Sequence, residues 1–282
     1  MLAKEKGLSE RAACRLVRLS RTVARYRARP KRHDNEQLVE RLKEISRSKR
    51  RRGYRLAHRQ LRQEGWRVNH KRVHRLWKQA GLSVPLRKSR KRLRRTTATP
   101  ARETQALCPD SVWCLDFAED RTIHGTKLRI LCVTDEFTRE SLALEAGRSF
   151  LSEQVCRVLE GLFASRGTPA ALRMDNGPEF IALTLKGLCH QNGICTAYIA
   201  PGKPWQNGFA ESFVSRLRDE FLDGEVLLSV LDAQVRLGLW RRYYNEERLH
   251  SRIGYETPRA FAASLRESSK ETVETKEFVG TT

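Results

Sequence analysis

At Ser111 the apolar pattern of this 282-residue chain changes from the period of a helix to the period of a strand, and that change limits the folds open to it. Upstream, Leu38, Leu42 and Ile45 recur at i, i+4, i+7; Tyr54, Ala57 and Leu61 at i, i+3, i+7; and Val73, Leu76, Trp77 and Ala80 at i, i+3, i+4, i+7. These spacings predict three amphipathic helices, with turns at Arg52-Gly53 and Glu64-Gly65 and with Gly81 ending the last. Ahead of them, residues 8–28 predict two shorter helices, one with Ala13, Leu16 and Val17 on a stripe. After a break at Leu19, the other is capped by Ser20 and carries Val23 and Tyr26, the outline of a helix-turn-helix.

Downstream, SVWCLDF is apolar on both faces, KLRILCVTD is a second β-rich run and RESLALEAG a third, which predicts an antiparallel meander. A helix (about 150–165), a strand (about 171–175), a helix (about 179–191), a strand (about 194–199) and long helices near 207–222 and 229–247 follow. Strands first and alternation afterwards mean a mixed sheet covered by helices. The expected organisation is a helix-turn-helix segment (1–32), a three-helix module (33–86), a basic linker (87–105), an α/β core (106–265) and a disordered tail (266–282).

Charge divides along the same line. The chain carries 55 Lys and Arg against 33 Asp and Glu, and residues 1–100 hold 33 of the former and 7 of the latter. A front part this basic suits a polyanion, whose counterions leave when Lys and Arg neutralise phosphates. Lys71, Arg72 and Arg75 lie on or beside the third helix of the module, where a recognition helix would sit, so double-stranded DNA is the expected partner. The run RKSRKRLRR at 87–95 reads equally as a solubilising connection or as a tracker of phosphates.

Other classes drop out. No run approaches 18 consecutive apolar residues and the N-terminus lacks a signal-peptide core, so neither a membrane span nor secretion is expected. Seven cysteines form no CxxC pair and read as reduced, buried residues of a cytoplasmic protein. His70 and His74 have zinc-ligand spacing, but no cysteine falls between Cys14 and Cys108 to complete a site.

Three acids stand out. Asp116 lies between Leu115 and Phe117 in a strand that reads as buried, where an ionised carboxylate needs a partner such as a cation. Asp175 ends the short run ALRM and precedes Asn-Gly-Pro, so it should project from a strand end into a crevice. Glu211 falls at the edge of the stripe Phe209, Phe213, Leu217 and Phe221. Carboxylates converging from two strands and a helix suit a pair of hard dications in phosphoryl transfer.

The motifs WCLDF (113–117), LCVTDEFTRE (131–140), MDNGPEF (174–180), PGKPWQNGFAESF (201–213) and YNEERLH (244–250) closely resemble bacterial insertion-sequence transposases with a retroviral-integrase-type core, in the group encoded in two overlapping frames. This chain resembles the second-frame product. The resemblance implies a ribonuclease-H-like mixed-sheet core behind small all-α helix-turn-helix modules, with Asp116, Asp175 and Glu211 as catalytic triad and metal ligands. It implies two Mg²⁺ per site, with Mn²⁺ a substitute, and cleavage and joining of terminal inverted repeats to target DNA. A homo-oligomer assembled on DNA and an upstream-frame partner protein are further implications.

Arg218, seven residues past Glu211, matches the family's basic residue and shares a helix face with it, suiting a phosphate contact; an ion pair with Glu225 or Asp219 is the alternative. Lys203, Trp205 and Gln206 are placed to touch a DNA end, with burial the alternative for Trp205. Glu179 reads as a helix-start partner and Asp135 as a turn residue rather than ligands. His250 either lines the site or packs against the sheet. Two rivals keep the same sequence features: a DNA-binding repressor or inactive transposase remnant, and a plain nuclease that joins nothing.

Overall fold

The structure, a computed structural model, describes residues 9–26, 34–48, 51–83, 105–199 and 204–267. Two compact units are distinguished, Met1–Glu44 and Ile45–Thr282. The expected basic run at 87–95 and the tail from 268 lie outside the described residues.

In the first unit, Ser9 Oγ accepts from Ala12 N–H to start α1 (Glu10–Leu16), and Ser20 Oγ accepts from Val23 N–H to start α2 (Arg21–Ala24). The break between them passes through Arg18 at φ 53°, and Arg25 grips Glu10 with two hydrogen bonds of 2.7 and 2.8 Å. The Ser20 cap falls where the sequence puts it, but the second helix is a single turn. Leu16, Val17, Val23 and Tyr26 are exposed, so only Cys14 is buried in the pair.

Helix α3 (Asp34–Ser48) buries Leu38, Leu42 and Ile45, the predicted stripe. Helices α4 (Tyr54–Gln63) and α5 (His70–Gln79) pack on each other through Ala57 and Leu61 against Val73, Leu76 and Trp77. Asn69 Oδ1 accepts from Lys71 N–H (2.8 Å) to cap α5. At its far end Gly81 takes φ +69°, and Leu82 N–H reaches back to Trp77 O, a closure that a left-handed residue makes easy.

Strands β1 (Val112–Arg121), β2 (Lys127–Asp135) and β3 (Ser141–Gly147) form the antiparallel meander, with Asp116 opposite Cys132 and Cys132 opposite Leu144. Strand β4 (Ala171–Met174) lies parallel beside β1, and β5 (Cys195–Tyr198) parallel beside β4, in the order β3-β2-β1-β4-β5. Side chains alternate across the sheet. Trp113, Leu115, Leu131 and Val133 pack with α6 (Ser152–Arg166), α7 (Pro178–Ile181) and α8 (Leu183–Gln191) on one face. Ala118, Ile130, Cys132 and Leu144 pack with α9 (Gly208–Glu220) and α10 (Val230–Glu246) on the other.

The helix expected at about 179–191 is broken at Ala182, whose backbone is extended (φ −58°, ψ 144°). Phe180, Leu185 and Cys189 all reach the core. On one continuous helix Phe180 would point about 140° away from Leu185, at 100° per residue, so the break lets both be buried. Cys108 and Cys195 are exposed, which corrects the expectation of seven buried thiols. The other five are buried, and all seven are free. No helix among the described residues is long and apolar enough to cross a membrane.

Candidate active site

Asp116 sits on β1 two residues from Ala118, and therefore on the sheet face covered by α9 and α10. It is half-buried, and its Oδ1 accepts its neighbour Phe117's N–H (2.8 Å). Burial pushes its carboxyl up to about 6. The Phe117 N–H works against that, the charges of Asp175 and Glu211 add to it, and Arg218 opposes it. The sheet and α9 thus bring two further carboxylates and one guanidinium within electrostatic reach of Asp116.

Asp175 follows the last residue of β4 and is exposed, as a strand-end acid should be. Its Oδ1 accepts from Gly177 N–H (2.9 Å), and Asn176 Nδ2 donates to Ile199 O (2.7 Å), tying the turn to the end of β5. Glu211 stands exposed in the first turn of α9. The buried stripe of that helix is Ala210, Phe213 and Leu217; Phe209 instead lies half-buried with the Arg139 guanidinium 4.0 Å from its ring centre.

Three like charges repel unless a cation lies among them. Among the described residues no three His, Cys, Asp or Glu side chains stand close enough to hold a metal ion. The donor set is nonetheless all carboxylate oxygen, the chemistry a hard dication prefers. The like charges that disfavour an ionised Asp116 are those a bound cation would offset.

Arg218 makes neither of the alternative ion pairs: Asp219 pairs with Arg51 at 3.5 Å and Glu225 with Arg236 at 2.9 Å. Its Nη2 donates to Glu119 O on β1 (3.0 Å). Glu179 is in the first turn of α7, as expected of a helix-start acid, but its partner is Arg129, whose Nη2 donates to Oε2 (3.0 Å) while Nη1 holds Oε1. Asp135 is the predicted turn residue, accepting from the N–H groups of Asp110, Phe137 and Thr138 and from Thr138 Oγ1.

His250 packs: its ring meets Tyr244 edge-on at 4.8 Å and its Nε2 lies 3.0 Å from Arg248 Nη1. Lys71 and Arg75 are exposed on α5, on the side away from Val73, Leu76 and Trp77, and Arg72 is half-buried. Lys203 and the side chain of Trp205 lie outside the described residues; the Trp205 backbone belongs to a 3₁₀ turn, Pro204–Asn207.

Sequence reasoning passed over two little-exposed arginines, Arg173 and Arg248. Arg173 on β4 bonds Gln206 O (3.1 Å) and pairs with Glu136 (3.5 Å), while Arg248 clamps Glu220 with bonds of 2.7 and 2.6 Å. For Arg173 the available signal was an arginine inside the apolar strand ALRM, which has to find a partner when the strand is buried; Arg248 lies in no strand and offered none.

Two family models for an integrase core domain match residues 106–204 and 192–258, and one for an HTH-like domain matches residues 33–91. An uncharacterized 31.7 kDa protein of insertion element IS407 from Burkholderia multivorans is 39% identical over 267 residues, 94% of each chain. An uncharacterized 39.2 kDa protein of insertion element IS476 from Xanthomonas euvesicatoria is 38% identical over 263 residues, 92% of this chain and 74% of that one. Among solved structures, the catalytic core domain of HTLV-2 integrase in complex with magnesium is 16% identical, with a TM-score of 0.45 over 56% of this chain and 99% of that one.

Proposed function

The chain belongs to the bacterial insertion-sequence transposases with an integrase-type core. From that premise we propose that it binds the terminal inverted repeats of its element through its basic front part and cleaves and joins DNA strands at Asp116, Asp175 and Glu211. The single observation that carries the reading is that Asp116 lies on the sheet face covered by α9, which carries Glu211, and on the strand beside β4, whose end carries Asp175.

Asp116, Asp175 and Glu211 would hold two Mg²⁺, or Mn²⁺, with Asp116 common to both. Bound there, the ions supply a charge clamp on the phosphate oxygens and an activated attacking oxygen. The chain's own residues do the rest. Arg218 holds one donor on β1 and offers its remaining donors to a phosphate. Lys71, Arg72 and Arg75 on α5, with Lys203 and Trp205 ahead of α9, hold the duplex and its end. Water first attacks the phosphodiester, freeing a 3′-hydroxyl. That hydroxyl then attacks a target phosphodiester in line, forming the new P–O bond as the target's own P–O3′ bond breaks and leaves a target 3′-hydroxyl, and no covalent enzyme intermediate forms. Synapsis of two ends calls for a homo-oligomer on DNA, with an upstream-frame protein as a further partner.

The test is incubation of the protein with Mg²⁺ and the flanking DNA ends, with Asp116→Asn as control. The variant should lose cleavage and joining, bind DNA as before and no longer gain melting temperature from Mg²⁺. Unchanged strand transfer by Asp116→Asn would remove the proposal, and cleavage without joining of supplied 3′-hydroxyl ends would leave only a nuclease.

A further inference from the structure

Arg129 is a cation inside a strand, and its guanidinium is used on two surfaces at once. Its face lies 4.0 Å from the centre of the Phe117 ring, and Phe117 follows Asp116 in β1. Its edge holds Glu179, four residues past Asp175, through both carboxylate oxygens. Arg129 Nε is buried with no partner among the described residues. The side chains are only 22% and 12% exposed, so salt screens the pair weakly.

Glu179 also backs the turn that carries Asp175, through the Oε2 that Arg129 Nη2 holds. A Cβ on Gly177 would lie 3.3 Å from Glu179 Oε2 and 3.0 Å from Asp175 Oδ1, so the two carboxylates flank one glycine, whose N–H holds Asp175. The ring under Arg129 is fixed in turn, since Phe117 stacks on the fully buried Phe180 of α7 at 5.0 Å. Phe117, Arg129, Glu179 and Phe180 therefore close a loop between β1, β2 and α7.

We propose that Arg129 and Glu179 are positioning residues that set the separation of Asp116 from Asp175, and so tune how the pair holds a divalent cation. This rests on the reading of those two acids as metal ligands. A guanidinium suits the task because it is planar and offers a fork to a carboxylate and a face to a ring, which a lysine ammonium does not match. The bracket touches no reacting atom and acts by holding two mounts at a fixed distance.

The experiment compares full-length wild type, Arg129→Met and Glu179→Gln, with Asp116→Asn alongside. Arg129→Met keeps a long apolar stem on Phe117 and loses the fork; Glu179→Gln leaves Arg129 on the ring and removes the charge partner. Melting temperature is titrated with Mg²⁺ alone, and kcat and KM for strand transfer are measured with flanking DNA ends. Arg129→Met should need about 10-fold more Mg²⁺ for its half-maximal thermal shift and lose about 10- to 100-fold in kcat, with KM for DNA nearly unchanged. Arg129→Lys should recover part of both. Should Arg129→Met fail to fold, Glu179→Gln carries the same expectation in the same direction.

Wild-type Mg²⁺ response and kcat in a folded Arg129→Met or Glu179→Gln, with Asp116→Asn dead in both assays, overturn the bracket and leave the active site standing. An Asp116→Asn that keeps activity and Mg²⁺ response overturns the active site itself, and the bracket with it.

Discussion

Arg218 on α9 donates from Nη2 to the carbonyl oxygen of Glu119 on β1 (3.0 Å). One side chain, seven residues past Glu211 on its helix, thereby reaches the strand that carries Asp116 at a carbonyl three residues past that acid. Its charge lies close enough to oppose the upward push on Asp116. Arg218→Ala should lower strand transfer by about 10²-fold, the scale of one lost charged donor at a reacting phosphate. Its melting temperature should fall by only a few degrees, because one net hydrogen bond from a charged group contributes about 1.5–3 kcal/mol. Equal activity in a gel assay of joined products would refute the phosphate role.

Gly177 has an ordinary extended backbone (φ −59°, ψ 147°), so Ala at this position meets no backbone strain. Its Cβ instead lands 3.0 Å from Asp175 Oδ1. Gly177→Ala is expected to displace that carboxylate, lower strand transfer about 10-fold or more and change stability little, since a misplaced group near the chemistry costs far more in rate than in folding. Paired measurements of melting temperature and kcat read this directly.

Arg248 and Glu220 form a buried bidentate pair, 7% and 13% exposed. Removing one member leaves the other charged and without its partner, so Arg248→Met should cost about 3–5 kcal/mol in urea unfolding. Arg248→Met with Glu220→Leu should recover much of that loss. A single variant as stable as wild type would contradict the burial.

His250 is held neutral. Burial, then Arg248, Arg139 and Arg216, push its imidazole down to about 3, and the ring of Tyr244 covers it. Its folded-state value lies below the unfolded one near 6.5, so the unfolded chain binds the extra proton and stability is lost as pH falls from about 6.5 towards 3. The slope is about 1.4 kcal/mol per pH unit. Asp116, raised in the folded state, has the opposite sign within that window. The difference between wild type and His250→Asn isolates the histidine, and parallel stability curves for the two over pH 4 to 7 would count against it.

On α5, Lys71 and Arg75 are exposed while Trp77 is buried. Lys71→Ala and Arg75→Ala should each weaken DNA binding without unfolding the protein and flatten the slope of log K against log salt by about 1. Trp77→Ala removes the packing between α4 and α5 and should cost about 3–5 kcal/mol. Binding isotherms at several salt concentrations separate phosphate contacts from structural ones.

The elements were legible because their signals are local. The 3.6-residue stripe of Val73, Leu76 and Trp77, the capping serine at 20 and the β-rich runs of β1 to β3 act within a few residues of themselves, and the structure follows them. Where distant packing intervened, they were not enough. Ala182 breaks a helix so that Phe180 and Leu185 share a core, and the stripe of Leu16, Val17, Val23 and Tyr26 remains exposed.

The proposed acids Asp116, Asp175 and Glu211 could be picked out from a buried strand, a strand end and a helix edge together with the family resemblance of their motifs. Their partners could not. Arg129 meets Glu179 50 residues along the chain, and Arg218 meets Glu119 99 residues away. A local pattern carries no information about which distant charge will face a buried one, because that pairing exists only after β1, β2 and β4 have found their register and α7 and α9 have been laid on opposite faces of the sheet.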